Sequence, residues 1–229
     1  MTWPPPGSWN DRDMVRHAPD GYFAPATGRL GAIVLHEAYG LLSPMSNVPE
    51  VCHRLAIEGF PALAPDLYQG AMADTVDDAV RLMAGLDVKA AMARIRRATR
   101  TLRERGADRV AVVGFCMGGG LSFRAALEIE GLSGAVVFYG TPNGDLGRLR
   151  VPVLGHFALR DAFLSLEAVR RAESELLQLG KPVSVHYYDA EHGFMNEKLT
   201  AYIPQKAALA WERTLRFLRA LSGGGTLRP

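Results

Sequence analysis

The stretch Arg109-Val110-Ala111-Val112-Val113-Gly114-Phe115-Cys116-Met117-Gly118-Gly119-Gly120 decides how this 229-residue chain is read. Its first half is a continuous apolar run, too unbroken for a strand with one wet face. Arg109 to Gly114 therefore reads as a strand covered by helices on both sides. The alanine-rich segment from Met117 to Glu130 reads as a helix. Gly114 and Gly118 stand two residues before and two after Cys116. A tight strand-to-helix turn holds its central residue in a strained conformation and brings the elements so close that only very small residues fit at those positions. A cysteine there stands clear of the sheet at a helix N-terminus. The unpaired N–H groups and a neighbouring imidazole can lower a thiol pKa from ~8.5 towards 7 and can also hold a tetrahedral oxyanion. The competing reading of Cys116 as a small buried hydrophobe requires strand, small residue, cysteine, small residue and helix to coincide by chance. Cys52, inside the apolar helical pattern Val51 to Ile57, reads as core.

Working outward, strand-like and helical patterns alternate. Strands are expected at Gly31 to His36, Phe60 to Pro65, Gly134 to Tyr139, Val151 to Phe157 and Val183 to Tyr188. Helices are expected at Val48 to Glu58, Asp74 to Ala84, Val88 to Arg105, Ser165 to Leu179 and Ile203 to Leu221. This is an α/β chain with a mainly parallel central sheet and helices on both faces. Right-handed crossovers bring the strand ends to one edge, where the following loops share a site. One domain over residues 1–229 is expected, with residues 1–10 and 222–229 as flexible tails.

Composition narrows the function. With 48% hydrophobic residues, 22% charged and a formal net charge of +2, nothing in the bulk electrostatics calls for nucleic acid or an anionic membrane. The basic residues between Lys89 and Arg105 are threaded by the apolar stripe Val88, Met92, Ile95 and Leu102, the mark of an amphipathic surface helix. Two cysteines in unlike settings, with neither a secretory leader nor a membrane-spanning run, suit a soluble cytoplasmic protein. No HExxH or paired CxxC occurs, so no metal or cofactor is expected, and the partner is a small molecule. A monomer or small homo-oligomer is expected.

Acyl transfer by a thiol needs a base and a group that orients the base. His192, in Glu191-His192-Gly193-Phe194 before the last helix, is the candidate base among six histidines. His156 and His186 fall inside strands, while His17, His36 and His53 precede the nucleophile. Asp161, just past its strand, is a better orienter than Asp145 in a polar turn or Asp189 close before the histidine. The order nucleophile, acid, histidine is that of α/β-hydrolases.

With these residues in place, the chain resembles the dienelactone hydrolase family. The resemblance spans nearly the whole chain: Gly21-Tyr22-Phe23-Ala24, His36-Glu37-Ala38-Tyr39-Gly40, Ala64-Pro65-Asp66-Leu67-Tyr68, Gly114-Phe115-Cys116-Met117-Gly118-Gly119, Tyr139-Gly140, Asp161 and His192-Gly193-Phe194. It implies an α/β-hydrolase fold and a Cys116, His192, Asp161 triad cleaving a small ester or lactone through an acyl-thioester. It also implies that Glu37 contacts the nucleophile and assists thiolate formation, and that the backbone N–H groups of Met117 and Ala38 form the oxyanion hole.

Two carboxylate-gripping arginines implied by the resemblance have no counterpart in Leu67-Tyr68-Gln69-Gly70-Ala71 or His192-Gly193-Phe194-Met195-Asn196. Arg81, Arg124, Arg160 and Lys198 are the cations that can stand in. An apolar pocket lined by Tyr39, Tyr68, Met117, Phe163, Phe194 and Met195 suits a neutral ester, lactone or thioester. The contrasting reading is an idle α/β-hydrolase scaffold that binds a ligand or partner protein.

Overall fold

A computed structural model describes residues 16–18 and 21–224. Among the described residues, eight strands form one sheet in the order β1-β2-β4-β3-β5-β6-β7-β8. They are β1 (Arg16–Ala18), β2 (Gly21–Ala24), β3 (Leu30–Leu35), β4 (Ala62–Pro65), β5 (Arg109–Phe115), β6 (Gly134–Phe138), β7 (Val153–Arg160) and β8 (Val183–Glu191). From β4 to β8 across the sheet every pairing is parallel. At the other edge β1 and β2 pair antiparallel with each other, and β2 with β4. The sequence reading lacks these two edge strands, because runs of three and four residues carry too little periodicity to be told from loop.

The central strands are buried on both faces, as the unbroken valine run requires. Ala111, Val113 and Phe115 face one cluster with α1 (Val48–Ile57) and α6 (Pro204–Arg219). Val110 and Val112 face the opposite cluster with α3 (Val88–Glu104), α4 (Met117–Glu128) and α5 (Leu166–Gln178). Cys52 lies in the first cluster with no exposed surface.

Local chemistry sets the boundaries. Ser165 caps α5, accepting from the Ala168 N–H at 3.2 Å, and Asp87 caps α3 through the Ala90 N–H at 3.0 Å. β7 starts only after Pro152, which has no ladder donor, and runs on to Arg160. Of the expected tails, residues 1–10 and 225–229 lie outside the described residues. After α6 the chain makes a turn over Ala220–Gly224 that is kinked at Gly223, where φ is 96°. Burial of Leu221 and a 2.6 Å hydrogen bond from the Arg109 guanidinium to its carbonyl hold that turn down. No helix among the described residues is long and apolar enough to cross a membrane.

The turn from β5 to α4 is built on close backbone approach. Cys116 has φ 52° and ψ −117°, and its N–H donates to the Phe138 carbonyl at 3.0 Å. A Cβ on Gly114 would lie 2.0 Å from the Gly118 carbonyl oxygen, and one on Gly118 would lie 2.4 Å from that of Leu35. Gly118→Ala should therefore lose about 1–3 kcal/mol or fail to fold, because the obstruction is backbone. Gly120→Ala, whose new methyl meets nothing nearer than 3.4 Å, should instead gain up to ~1 kcal/mol from helix propensity. Urea midpoints of the two variants beside wild type check both signs.

Candidate active site

The loops after β3, β5, β6, β7 and β8 meet at one sheet edge, and each brings one side chain: Glu37, Cys116, Tyr139, Asp161 and His192. His192 Nδ1 lies 2.7 Å from Asp161 Oδ2. The other Asp161 oxygen accepts from the backbone N–H groups of Phe163 and Leu164 at 2.9 and 3.0 Å. This carboxylate is 1% exposed, so both oxygens find their partners inside the protein. The imidazole sits between Tyr139 and Phe163, with ring centroids 4.9 and 5.1 Å away.

Burial alone would lower the His192 pKa. Asp161 on one side and the Cys116 sulfur on the other outweigh it and push the value up to about 10. Nε2 is buried and makes no hydrogen bond of ordinary geometry, although Cys116 is close enough to act on it electrostatically. Asp161 thus fixes the Nδ1 side of the ring and leaves Nε2 on the side of Cys116.

Glu37 and Cys116 line the same cavity. The two Glu37 oxygens accept from the Tyr139 hydroxyl at 3.0 Å and the Asn196 amide at 2.8 Å, so its hydrogen bonds do not go to the thiol. Burial raises its pKa, while Asn196, His192 and Tyr139 pull it back. Asn196 is fully buried and also donates to the Met45 carbonyl at 2.9 Å, tying the loop after β8 to the loop after β3. The sequence reading noted Asn196 only as an absent arginine, and gave Tyr139 no role. Tyr139 was legible as an oddity in one respect only: it lies beside Gly140 at the end of a strand. Its φ is 38°, and its N–H donates to the His156 carbonyl at 2.8 Å.

Ala38 and Met117 line the same opening. The close approach of Gly118 to Leu35 and His36 brings their backbones together there. His36 and His156 are internal struts. His36 links the Glu37 carbonyl to the Leu67 N–H, and His156 links the Tyr188 and Thr214 hydroxyls.

A cavity of about 790 Å³ opens from Cys116 and His192. Tyr39, Met117 and Phe163 line it, but three other expected lining residues do not. Phe194 and Met195 are in the core at 0% and 2% exposure, where the turn after His192 folds inward against Tyr188 and Tyr139. Tyr68 lies behind Met117, to whose sulfur its hydroxyl donates at 3.1 Å. Among the described residues, no cluster of three or more His, Cys, Asp or Glu side chains is arranged to hold a metal ion.

The family model for the dienelactone hydrolase family matches residues 20–222. The chain belongs to the dienelactone hydrolase family. It is 37% identical over 212 residues to protein usf of Aquifex pyrophilus, covering 87% of this chain and 92% of that one. It is 31% identical over 226 residues to a carboxymethylenebutenolidase of Pseudomonas sp. strain P51, covering 89% and 90%. The crystal structure of a dienelactone hydrolase-like promiscuous phosphotriesterase from metagenomic libraries superposes with a TM-score of 0.74 at 25% identity, covering 88% and 92%. As a member of this family the chain is an α/β-hydrolase-fold hydrolase.

The raised His192 pKa makes a signed prediction about stability. A folded value near 10 against an ordinary 6.5 means that His192 stabilises the fold fully below about pH 6.5 and loses that contribution as pH rises through 10. The wild-type urea midpoint should therefore fall between pH 7 and pH 10 by more than that of His192→Gln.

Proposed function

We propose that this chain hydrolyses a neutral carboxylic ester or lactone through a covalent thioester on Cys116, with His192 as acid and base and Asp161 as its orienter. The observation that carries the reading is the 2.7 Å contact between Asp161 and His192, with Nε2 buried beside a cysteine held at positive φ. Two free cysteines, one of them this nucleophile, suit a reducing, cytoplasmic setting.

In the first half-reaction the Cys116 sulfur attacks the carbonyl carbon, and the C=O electron pair moves onto oxygen. The N–H groups of Met117 and Ala38 receive that oxyanion. Collapse breaks the C–O bond to the leaving group, which takes a proton from His192 Nε2, and leaves an acyl-thioester. In the second half, Nε2 removes a proton from water as the hydroxide oxygen bonds to the acyl carbon. The C–S bond then breaks, releasing the acid and restoring the thiolate beside the imidazolium.

Neutrality of the substrate rests on the cations around the cavity. Arg124 and Lys198 line it, but Arg124 is paired with Glu128 at 2.8 Å and Lys198 with Glu50 at 3.0 Å. Arg81 pairs with Asp78, and Arg160 with Asp189. Each of these cations already has a carboxylate beside it, so a bound carboxylate would meet a largely balanced local charge and gain less than it would from an unpaired cation.

On a panel of neutral esters, lactones and thioesters with a dienelactone included, wild type should turn over neutral members. Cys116→Ala should lose at least ~10³-fold in kcat, and Asp161→Asn at least ~10²-fold with little change in KM. Turnover retained in Cys116→Ala would remove the thioester mechanism. Glu37→Gln separates support from chemistry. Its amide faces two donors with one acceptor oxygen, so a loss of about 1–3 kcal/mol in stability is expected by urea unfolding. If Glu37 assists the thiol, Cys116 alkylation at pH 7 should also slow; an unchanged rate would leave Glu37 a purely structural role.

A further inference from the structure

The cavity is much larger than the catalytic corner needs, and two helices define its extension. Along α4 the residues facing it are Met117, Gly120, Leu121, Arg124 and Glu128, a single stripe of a helix with 3.6 residues per turn. From Met117 to Glu128 that floor runs roughly 16 Å at 1.5 Å per residue. The opposite wall is α2 (Val76–Ala84), whose Val76, Ala79, Val80 and Met83 face the same space.

This wall is unusual for an amphipathic helix. Thr75 caps α2, accepting from the Asp78 N–H at 3.2 Å, and its outer face carries Asp77, Asp78 and Arg81. Its apolar stripe should face a core. Ala79 is instead its one buried residue, while Val76, Val80 and Met83 are 51%, 46% and 41% exposed and face the cavity. Leu86 and Val88 extend the same apolar wall. At the far end Arg124 and Glu128 pair with each other, so nothing there demands a charged terminus.

The geometry points to an acyl-chain trough between α2 and α4: the substrate is an ester or thioester of an unbranched, medium-length fatty acid whose tail lies along Val76, Val80 and Met83. This rests on the proposed Cys116 chemistry and names the substrate class of that site. With the carbonyl at Cys116 and the amides of Met117 and Ala38, the chain has a straight path down the α4 stripe. Each methylene that leaves water against this wall strengthens binding about threefold to fourfold, until the chain emerges past Arg124. A two-carbon acyl group leaves the wall wet.

The test is kcat/KM for p-nitrophenyl acetate, butyrate, octanoate and dodecanoate. Octanoate should exceed acetate by at least ~10-fold, and Val80→Asp and Met83→Asp should each cut that ratio by at least ~10-fold. Because the ratio is taken within one preparation, a partly unfolded variant still reports it. If neither variant folds, the wild-type series decides. A flat series, an unchanged ratio in both variants, or preference for an adipate half-ester over octanoate overturns the trough. Ester hydrolysis that survives in Cys116→Ala, or none of the four esters hydrolysed by wild type, instead sinks the proposed chemistry. The trough is then read without turnover, by titration calorimetry: methyl octyl ketone should bind wild type and not Val80→Asp, and absence of binding to wild type overturns it.

Discussion

The structure depends on one close approach: the start of α4 lies directly against the ends of β3 and β5. Gly118 has no room for a methyl group against the Leu35 carbonyl, nor Gly114 against Gly118, and the Cys116 N–H closes the turn on the Phe138 carbonyl. That packing forces Cys116 to positive φ and lifts its side chain out of the sheet. It also sets the first amides of α4 beside the loop that carries Glu37 and Ala38. The proposed nucleophile, the backbone proposed to bind the oxyanion and the mouth of the cavity therefore share one steric cause.

Around that turn most of the described buried side-chain polar atoms have a partner, Asn47 Oδ1 and His192 Nε2 being the exceptions. Asp161 has the imidazole and two backbone N–H groups, and Glu37 has a phenol and an amide. Asn196 is central to this, because one amide group bonds both Glu37 and the Met45 carbonyl, while its own oxygen accepts from the Lys198 N–H at 2.9 Å. Asn47 extends the seam to the Met195 carbonyl and to Glu197, which Arg54 also holds. Asn196 thus donates to the Glu37 carboxylate without bringing a further formal charge into the seam.

Much of this was legible because strong local rules agree. The unbroken valine run required a strand covered on both faces, and two glycines flanking Cys116 required a tight turn. The position of Asp161 followed from a strand ending just before it, and that of His192 from its place ahead of the last helix. The edge strands β1 and β2 were not legible, since their pairing is decided by partners distant in sequence. The pocket lining was misread for a related reason. Phe194 and Met195 look like lining because they follow His192, yet the chain turns them into the core. The apolar face of α2, by contrast, reads as ordinary core stripe in sequence, and only the fold shows that it faces open space. The Glu37, Tyr139 and Asn196 network spans three loops and carries no local signature at all.

The central claim is that an acyl group passes through the Cys116 sulfur. Rapid acid quenching of wild type with a neutral ester, followed by intact-protein and peptide mass spectrometry, tests it most directly. A mass increase of one acyl group is predicted on the wild-type peptide bearing Cys116, labile to hydroxylamine, and its formation should be much slower in His192→Ala, which lacks the imidazole that activates the thiol. Turnover with no adduct at any quench time in either protein, or an adduct on another residue, would contradict it.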